Sequence, residues 1–183
     1  LKIKNPSKFI ANEISEGKVV GIFQGRMEFG PRSLGNRSII VQAKDVSVND
    51  WLNKKLKRTE FMPFAPITLI ENKDEYYKDI QKKELCMKFM TITVDCKKKA
   101  LAKFPAAVHI DNTARPQLID KKYNSLLYDL ILNYKKITNS GTLINTSFNM
   151  HEEPIVCSPK DALRAFKLGN LDYLFIGNYI LKN

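Results

Sequence analysis

The sequence is poor in the residues that build metal centres and covalent cross-links. Its 183 residues include three cysteines, Cys86, Cys96 and Cys157, and two histidines, His109 and His151. No cysteine pair has Cys-x-x-Cys spacing and the number is odd, so the sequence argues against a disulfide framework or a zinc site. Free thiols suit the reducing cytoplasm, and we therefore predict a cytoplasmic protein without a protein-bound metal.

Long apolar runs are also missing. No stretch approaches the roughly 20 apolar residues of a membrane span, and the first ten residues are too polar and basic for a signal peptide. Apolar residues make up 44% of the chain, more than a disordered sequence contains. We expect one globular domain over residues 1–183. Because the chain begins with Leu1 rather than Met, we also expect a fragment of a longer protein.

Positive charge is plentiful but comes mostly from lysine. The net charge is +11, and 24 of the 30 cationic residues are lysines scattered along the chain. Scattered lysines are typical of a solvated surface, and no aromatic and basic recognition motif accompanies them, which disfavours nucleic acid as a partner. Four of the six arginines lie between positions 26 and 58. Since arginine can hold phosphate or carboxylate through two parallel hydrogen bonds, we expect an anionic ligand there.

Helix and strand patterns alternate along the chain, which predicts a mixed α/β or α+β fold and leaves the strand order open. Predicted helices begin at Asn5-Pro6, at Asp45, near Leu126 and at Ser158, and an acidic, tyrosine-rich helix precedes Phe89. The predicted strands cover residues 19–23, 38–41, 64–70, 89–94, 142–145, 173–176 and 179–181.

The segment of residues 25–38, GRMEFGPRSLGNRS, follows a predicted strand and combines three glycines with three arginines. Its first glycines have the spacing of a phosphate loop. However, Pro31-Arg32 stands where Lys-Ser/Thr belongs, which argues against an ordinary nucleotide phosphate loop. We expect the segment instead to bind an oxyanion through Arg32 and Arg37. The alternative is a surface turn whose arginines pair with nearby carboxylates.

A second candidate segment covers residues 53–66, NKKLKRTEFMPFAP. Lys57 and Arg58 lie where a predicted helix ends. They either bind a ligand or stabilise the helix dipole, which favours cations at that end. The proline-rich PFAP that follows predicts a stiff entry into the next strand.

A third candidate segment covers residues 108–117, VHIDNTARPQ. His109 and Asp111 have a spacing that could flank a metal on a strand, but no third ligand lies nearby in the sequence. Arg115 is the better candidate, because it is an isolated cation beside a proline.

A fourth candidate segment covers residues 143–149, LINTSFN, where polar residues follow an apolar strand. Open α/β sheets place ligands at such strand ends, although a capped turn uses the same residues. No Ser-His-Asp or Cys-His arrangement is indicated, because histidine is too scarce. The candidate residues are instead types that bind and polarise phosphates.

Together these segments resemble the C-terminal domain of the NodU/CmcH-type O-carbamoyltransferases. The strings GRMEFGPRSLGNRS, FMPFAP, HIDNTARPQ, LINTSFN and EEPIVCSPKDAL occur in the family's order, and the resemblance extends from about Ile14 to Ile180. It implies a YrdC-like fold, a twisted mixed sheet flanked by helices. It further implies that this domain binds ATP, with Mg²⁺, and carbamoyl phosphate, and forms carbamoyl adenylate with release of pyrophosphate. A covalently linked, actin-like N-terminal domain, absent from these residues, would then transfer the carbamoyl group to an acceptor hydroxyl.

The resemblance also assigns residues to the site. It implies catalytic roles for Lys57, Arg32 and Ser147. The implied ligands of substrate and nucleotide are Arg32, Arg37, Arg58, Arg115, Asn145, Ser147 and Asn149. Met62 stands where many members have arginine, which leaves both Lys57 and Arg58 open as the matching cation.

Two other functions stay open at this point. One is a basic, YrdC-like module that binds nucleic acid, as the sequence pI of about 9.5 suggests. The other is a non-catalytic domain that completes a neighbour's active site. A homodimer is compatible with all three.

Overall fold

The computed structural model describes residues 1–57 and 63–183. The helices are α1 (Pro6–Ser15), α2 (Val48–Lys55), α3 (Lys73–Tyr76), α4 (Glu84–Lys88), α5 (Lys98–Lys103), α6 (Ser125–Thr138) and α7 (Pro159–Leu168). The strands are β1 (Val20–Phe23), β2 (Arg37–Val41), β3 (Ala65–Leu69), β4 (Val94–Asp95), β5 (Thr113–Ala114), β6 (Gln117–Ile119), β7 (Thr142–Ser147), β8 (Tyr173–Ile176) and β9 (Tyr179–Lys182). None of the helices in the described ranges is long and apolar enough to cross a lipid bilayer.

Seven strands within the described residues form one mixed sheet in the order β6-β3-β7-β2-β1-β8-β9. The pairs β1–β8 and β3–β6 are parallel, and the other neighbours are antiparallel. As a result β1, β7 and β8 end at the edge where β2, β3 and β6 begin. We call this the site edge and define it by the strand-terminal residues Phe23, Arg37, Ala65, Gln117 and Ser147.

The sheet is buried on both faces. Alternate residues of one strand enter different apolar clusters: Ile40 packs with α1 and α6, whereas Ile39 and Val41 pack with α2 and α7. Strands covered on both faces have near-continuous apolar sequences rather than alternating ones, which is why 38–41 could be recognised. The predicted class, a mixed sheet flanked by helices, is confirmed.

Two predicted helix starts are confirmed by their caps. Asn5 Oδ1 accepts a hydrogen bond from the Lys8 backbone N–H at 3.1 Å at the start of α1. Ser158 and Asp161 form a reciprocal capping box at the start of α7, in which each side chain accepts the other residue's backbone N–H. Such bonds satisfy backbone donors that the first helical turn leaves unpaired.

The predicted strand at 89–94 is wrong. Its residues favour strands, but α4 ends at Lys88, just before them, and Met90 lies in the left-handed region at φ 55°. Thr91 then donates from both its backbone N–H and its hydroxyl to the Cys86 carbonyl, which closes the turn. Only Val94–Asp95 pairs as a strand, with β5.

The predicted helix start at Asp45 is also wrong. Asp45 Oδ1 accepts the Ser47 backbone N–H at 2.9 Å, so this carboxylate organises a turn ahead of the helix. The helix itself begins at Val48. The short strands β5 and β6 were not predicted, because two or three residues are too few to show a periodic pattern.

Thiol reactivity tests the burial pattern. Cys96 is 4% exposed and burial raises its pKa to about 12, whereas Cys86 and Cys157 are exposed. Because the thiolate is the reactive species, we expect two of the three thiols to react quickly with an aromatic disulfide reagent, and the third only after denaturation. Cys96→Ala should leave the number of fast-reacting thiols unchanged at two. Three thiols reacting at one rate would contradict this packing.

Candidate active site

A cleft of about 390 Å³ opens at the site edge of the sheet. It lies between the loop of residues 24–37, the start of β3 and the end of β7. Five of the predicted site residues line it together: Arg32, Arg115, Asn145, Ser147 and Asn149. They come from three separate segments of the sequence, and the sheet brings these segments together because the strands that carry or flank them end or begin at this edge.

The remaining predicted residues lie elsewhere. Lys57 is exposed, has φ 57° just after α2, and does not line the cleft. Arg58 and Met62 lie outside the described residues. The choice between Lys57 and Arg58 as the matching cation therefore stays a prediction.

Arg37 is bound to the loop itself. Its side chain donates to the carbonyl oxygens of Gln24 at 2.6 Å, Asn36 at 2.8 Å and Gly25 at 3.2 Å. The guanidinium lies 3.7 Å from the ring centre of Phe23, and the residue is only 4% exposed. Burial lowers the pKa of this guanidinium. In this arrangement Arg37 fastens both ends of the loop to the sheet and does not line the cleft.

Glu28 organises the loop from within. Its Oε1 accepts the backbone N–H groups of Leu34 and Asn36, both at 2.7 Å, and its Oε2 is buried without a partner among the described residues. Gly35 follows at φ 119°, and a Cβ there would lie 2.4 Å from Leu127 Cδ2. The loop therefore turns tightly around the Glu28 carboxylate. This turn places Arg32 at the cleft.

Arg32 and Arg115 form the cationic part of the cleft. Arg115 is half-buried, and its pKa is lowered first by burial and then by the charge of Arg32. Its buried Nε has no partner among the described residues, and neither guanidinium forms an ion pair within that part of the chain. Two nearby cations that form no ion pair repel each other. An anion bound between them would remove that repulsion.

Asn145 belongs to a buried amide network at the end of β7. Its Nδ2 donates to Gln117 Oε1 at 2.7 Å and to the Ser33 carbonyl at 3.1 Å. Gln117 Nε2 in turn donates to the Leu34 carbonyl at 2.8 Å. The network ties β6 and β7 to the loop of residues 24–37.

Ser147 and Asn149 form a second polar unit. The two N–H groups of Asn149 Nδ2 donate to the carbonyls of Met150 at 3.0 Å and Glu153 at 2.9 Å. Its Oδ1 therefore accepts, and the partner is the Ser147 hydroxyl at 2.5 Å. Ser147 Oγ uses its proton inside the protein and keeps its lone pairs available.

The chain after β7 completes the cleft with His151, Glu152 and Glu153. The His151 backbone N–H donates to the Leu56 carbonyl at 3.2 Å, which joins this segment to the end of α2. Glu153 is held by both Nη atoms of Arg164, whose hydrogen bonds lower the pKa of this carboxyl. Its negative charge is therefore balanced outside the cleft.

The His109–Asp111 pair shapes a turn. Asp111 Oδ1 accepts hydrogen bonds from the backbone N–H and the hydroxyl of Thr113. The hydroxyl oxygen of Thr113 also lies 3.0 Å from His109 Nδ1. Among the described residues, no group of three histidine, cysteine or carboxylate side chains is placed to hold a metal ion.

Gln117 and Glu28 are two residues of the site whose importance the sequence did not predict. Gln117 ends the string TARPQ and Glu28 lies inside GRMEFG, so both were inside segments already singled out. The backbone groups of the loop to which they form hydrogen bonds come close only in the folded chain, and no local sequence pattern indicates these bonds. The sequence has only two histidines, and this scarcity could have singled out His151, which lines the cleft.

Comparison with known proteins gives a family and a fold. The family model for the carbamoyltransferase C-terminus matches residues 11–183. An uncharacterised protein of Methanocaldococcus jannaschii is 42% identical over 94% of this chain and 28% of its own length. The nodulation protein NolNO of Sinorhizobium fredii and the nodulation protein NolO of Bradyrhizobium diazoefficiens are each 38% identical over 94% of this chain. The chain spans 25% of the first of these and 31% of the second.

Two solved structures share the fold. Full-length HypF, in a phosphate- and nucleotide-bound form, superimposes on 95% of this chain and 21% of its own with a TM-score of 0.66 at 20% identity. A Sua5 variant of P. abyssi superimposes on 94% of this chain and 48% of its own with a TM-score of 0.61 at 14% identity. The YrdC-like architecture is thereby confirmed.

Removing the Glu28 carboxylate tests how the loop is held. Glu28→Ala should speed hydrogen exchange at the Leu34 and Asn36 amides by about ten-fold, because each loses a charged acceptor worth roughly 1.5–3 kcal/mol. Glu28→Gln keeps an oxygen acceptor at that position and should exchange nearly as slowly as the parent chain. Unchanged protection of both amides in Glu28→Ala would contradict this role.

Proposed function

The chain belongs to the carbamoyltransferase C-terminal family, and from that premise we propose that its cleft binds ATP and carbamoyl phosphate and forms carbamoyl adenylate. One observation supports this most: Arg32 and Arg115 meet in the cleft without an ion pair among the described residues. Both proposed substrates are polyanions. Guanidinium groups hold phosphate oxygens through paired, charge-assisted hydrogen bonds.

The atoms of the proposed reaction balance when one water molecule takes part. Carbamoyl phosphate and water give carbamate and inorganic phosphate. A carbamate oxygen then attacks the α-phosphorus of ATP, the bond from that phosphorus to its bridging oxygen breaks, and pyrophosphate leaves. The products are carbamoyl adenylate, phosphate and pyrophosphate.

The roles of the residues follow from charge and burial. Arg32 and Arg115 offset the repulsion between the two substrates and the charge that grows on the leaving groups. Partial burial strengthens the effect of Arg115, because the local dielectric is lower than that of water. Lys57 or Arg58 would supply a further cation, and Ser147 would lie beside the reacting groups. Arg37 supports the reaction indirectly by fixing the loop.

We propose that magnesium would arrive with ATP. The described part of the chain offers no cluster of three carboxylate, histidine or cysteine ligands. The ion would bind ATP phosphate oxygens and water, as Mg²⁺ commonly does in phosphoryl-transfer sites. It would supply charge neutralisation there.

The size of the relatives supports a two-part enzyme. The chain spans between a quarter and a third of the nodulation proteins NolNO and NolO, which are therefore much longer than this domain. We propose that a linked N-terminal part receives the activated carbamoyl group and transfers it to an acceptor hydroxyl, in the cytoplasm. The phosphate- and nucleotide-bound form of HypF supports a nucleotide as a ligand of this fold.

Arginine substitutions test the proposed anion site. Arg32→Ala and Arg115→Ala should each weaken binding of Mg-ATP and carbamoyl phosphate by about 10- to 100-fold, since a hydrogen bond to a charged group is worth roughly 1.5–3 kcal/mol. Isothermal titration calorimetry on this chain measures both affinities. Arg26→Ala is the matched control, because it removes the same charge from an exposed position on the same loop, outside the cleft lining. Equal losses in all three variants would indicate general attraction and contradict a site.

The products test the chemistry separately. Pyrophosphate should appear only when ATP and carbamoyl phosphate are both supplied, in equal amount to the inorganic phosphate released. Chromatography of the nucleotides should show no ADP. Formation of ADP in place of pyrophosphate would contradict adenylation at this cleft.

A further inference from the structure

Glu152 occupies a backbone position that glycine would fill more easily. The Glu153 backbone N–H donates to the Met150 carbonyl at 3.1 Å, which closes a β-turn after β7. Glu152 is the third residue of this turn and has φ 60°, in the left-handed region. Turns with a positive φ at the third residue favour glycine or asparagine, because a Cβ crowds the backbone there. A glutamate at this position therefore costs folding free energy.

A strained residue at a ligand cleft calls for a functional explanation. Glu152 lines the cleft, and its side chain is 85% exposed. Its Oε1 lies 4.0 Å from His151 Nε2, at the outer limit of an ion pair. An exposed carboxylate that makes so long a contact can turn toward a ligand bound in the cleft.

The charge of Glu152 is not balanced as that of its neighbour is. Among the described residues that line the cleft, the carboxylates are Glu152 and Glu153. Glu153 accepts hydrogen bonds from both Nη atoms of Arg164. Glu152 forms no ion pair with an arginine or lysine in the described part of the chain. One negative charge therefore shares the cleft with Arg32 and Arg115.

This negative charge has the wrong sign for direct contact with ATP. The arginines would attract the triphosphate, whereas the Glu152 carboxylate would repel it. A divalent cation between the carboxylate and the phosphates turns that repulsion into attraction. Mg²⁺ is commonly held in this way, by one or two carboxylates, substrate phosphates and several waters. A single carboxylate is then enough, and the described residues contain no group of three metal ligands.

We propose that Glu152 is a protein ligand of the magnesium ion that accompanies ATP. This inference rests on the proposed function, because ATP brings the ion to the cleft. The ion would supply charge neutralisation between the Glu152 carboxylate and the phosphates. One carboxylate holds Mg²⁺ only weakly without the nucleotide, so the ion and ATP should bind together.

The test compares the dissociation constants of ATP in the presence of Mg²⁺ and of EDTA, measured by calorimetry on this chain. Glu152→Gln keeps the size of the side chain and removes its charge. It should bind metal-free ATP several-fold more tightly than the parent chain, because the repulsion is gone, and should bind Mg-ATP more weakly. The gain in affinity from Mg²⁺ should therefore fall by about ten-fold.

Glu16→Gln is the matched control. It makes the same substitution at an exposed position outside the cleft lining. It should leave the gain from Mg²⁺ unchanged, which separates a ligand of the ion from a general change in net charge.

Glu152→Gly tests the backbone argument with a readout that does not depend on ligands. Glycine adopts φ 60° without strain, so the melting temperature should rise by roughly 2–4 °C. The gain from Mg²⁺ should fall as it does in Glu152→Gln. A melting temperature at or below that of the parent chain would contradict the strain from which the inference starts.

Two binding results would overturn the inference, and they differ in what else they remove. If the parent chain binds ATP and the gain from Mg²⁺ is the same in Glu152→Gln and Glu16→Gln, Glu152 is not a ligand of the ion and the proposed function stands. If the parent chain binds ATP neither with Mg²⁺ nor with EDTA, the proposed function fails together with the inference.

Discussion

The cleft depends on how the loop of residues 24–37 is attached to the sheet. Its carbonyl groups accept from donors that the sheet provides: Arg37 from β2, Gln117 from β6 and Asn145 from β7. Glu28 accepts two N–H groups within the loop itself. Buried or partly buried backbone groups are costly to leave unpaired. These bonds therefore favour one loop conformation, and that conformation places Arg32 opposite Arg115.

The attachment also separates the charged donors of the cleft from the polar groups that hold the loop. Arg32 and Arg115 provide charged donors that form no ion pair among the described residues. Asn145 and Ser147 direct their donors into the protein. Electrostatic sites of this kind gain from being fixed before the ligand binds.

Much of the architecture was predictable because its determinants are local. Asn5 and Ser158 indicate helix starts, because both are residue types that cap helices. The apolar runs of β1 and β2 indicate strands that are buried on both faces. The strand predicted at 89–94 failed because a left-handed residue at Met90 and the Thr91 hydrogen bonds to Cys86 outweigh the strand preference of that segment. Tertiary context overrides such preferences readily.

The candidate site was predictable in its residues more than in their roles. A sequence does not distinguish an arginine that lines a cleft from one that holds a loop. Arg32 lines the cleft and Arg37 holds the loop, and this difference is visible only after folding. The orientation of Asn145 depends on Gln117, which lies 28 residues away, and on Ser33, which lies 112 residues away. Such distant pairings leave no local pattern. Residues 58–62, which include Arg58, lie outside the described structure, so its role stays a prediction.

The proposed function requires the cleft to bind a phosphate between Arg32 and Arg115. A crystal structure of this chain with carbamoyl phosphate would show this without intermediate steps. We expect the phosphate oxygens within hydrogen-bonding distance of the Arg32 and Arg115 guanidinium groups. A phosphate bound away from both arginines would contradict the proposal.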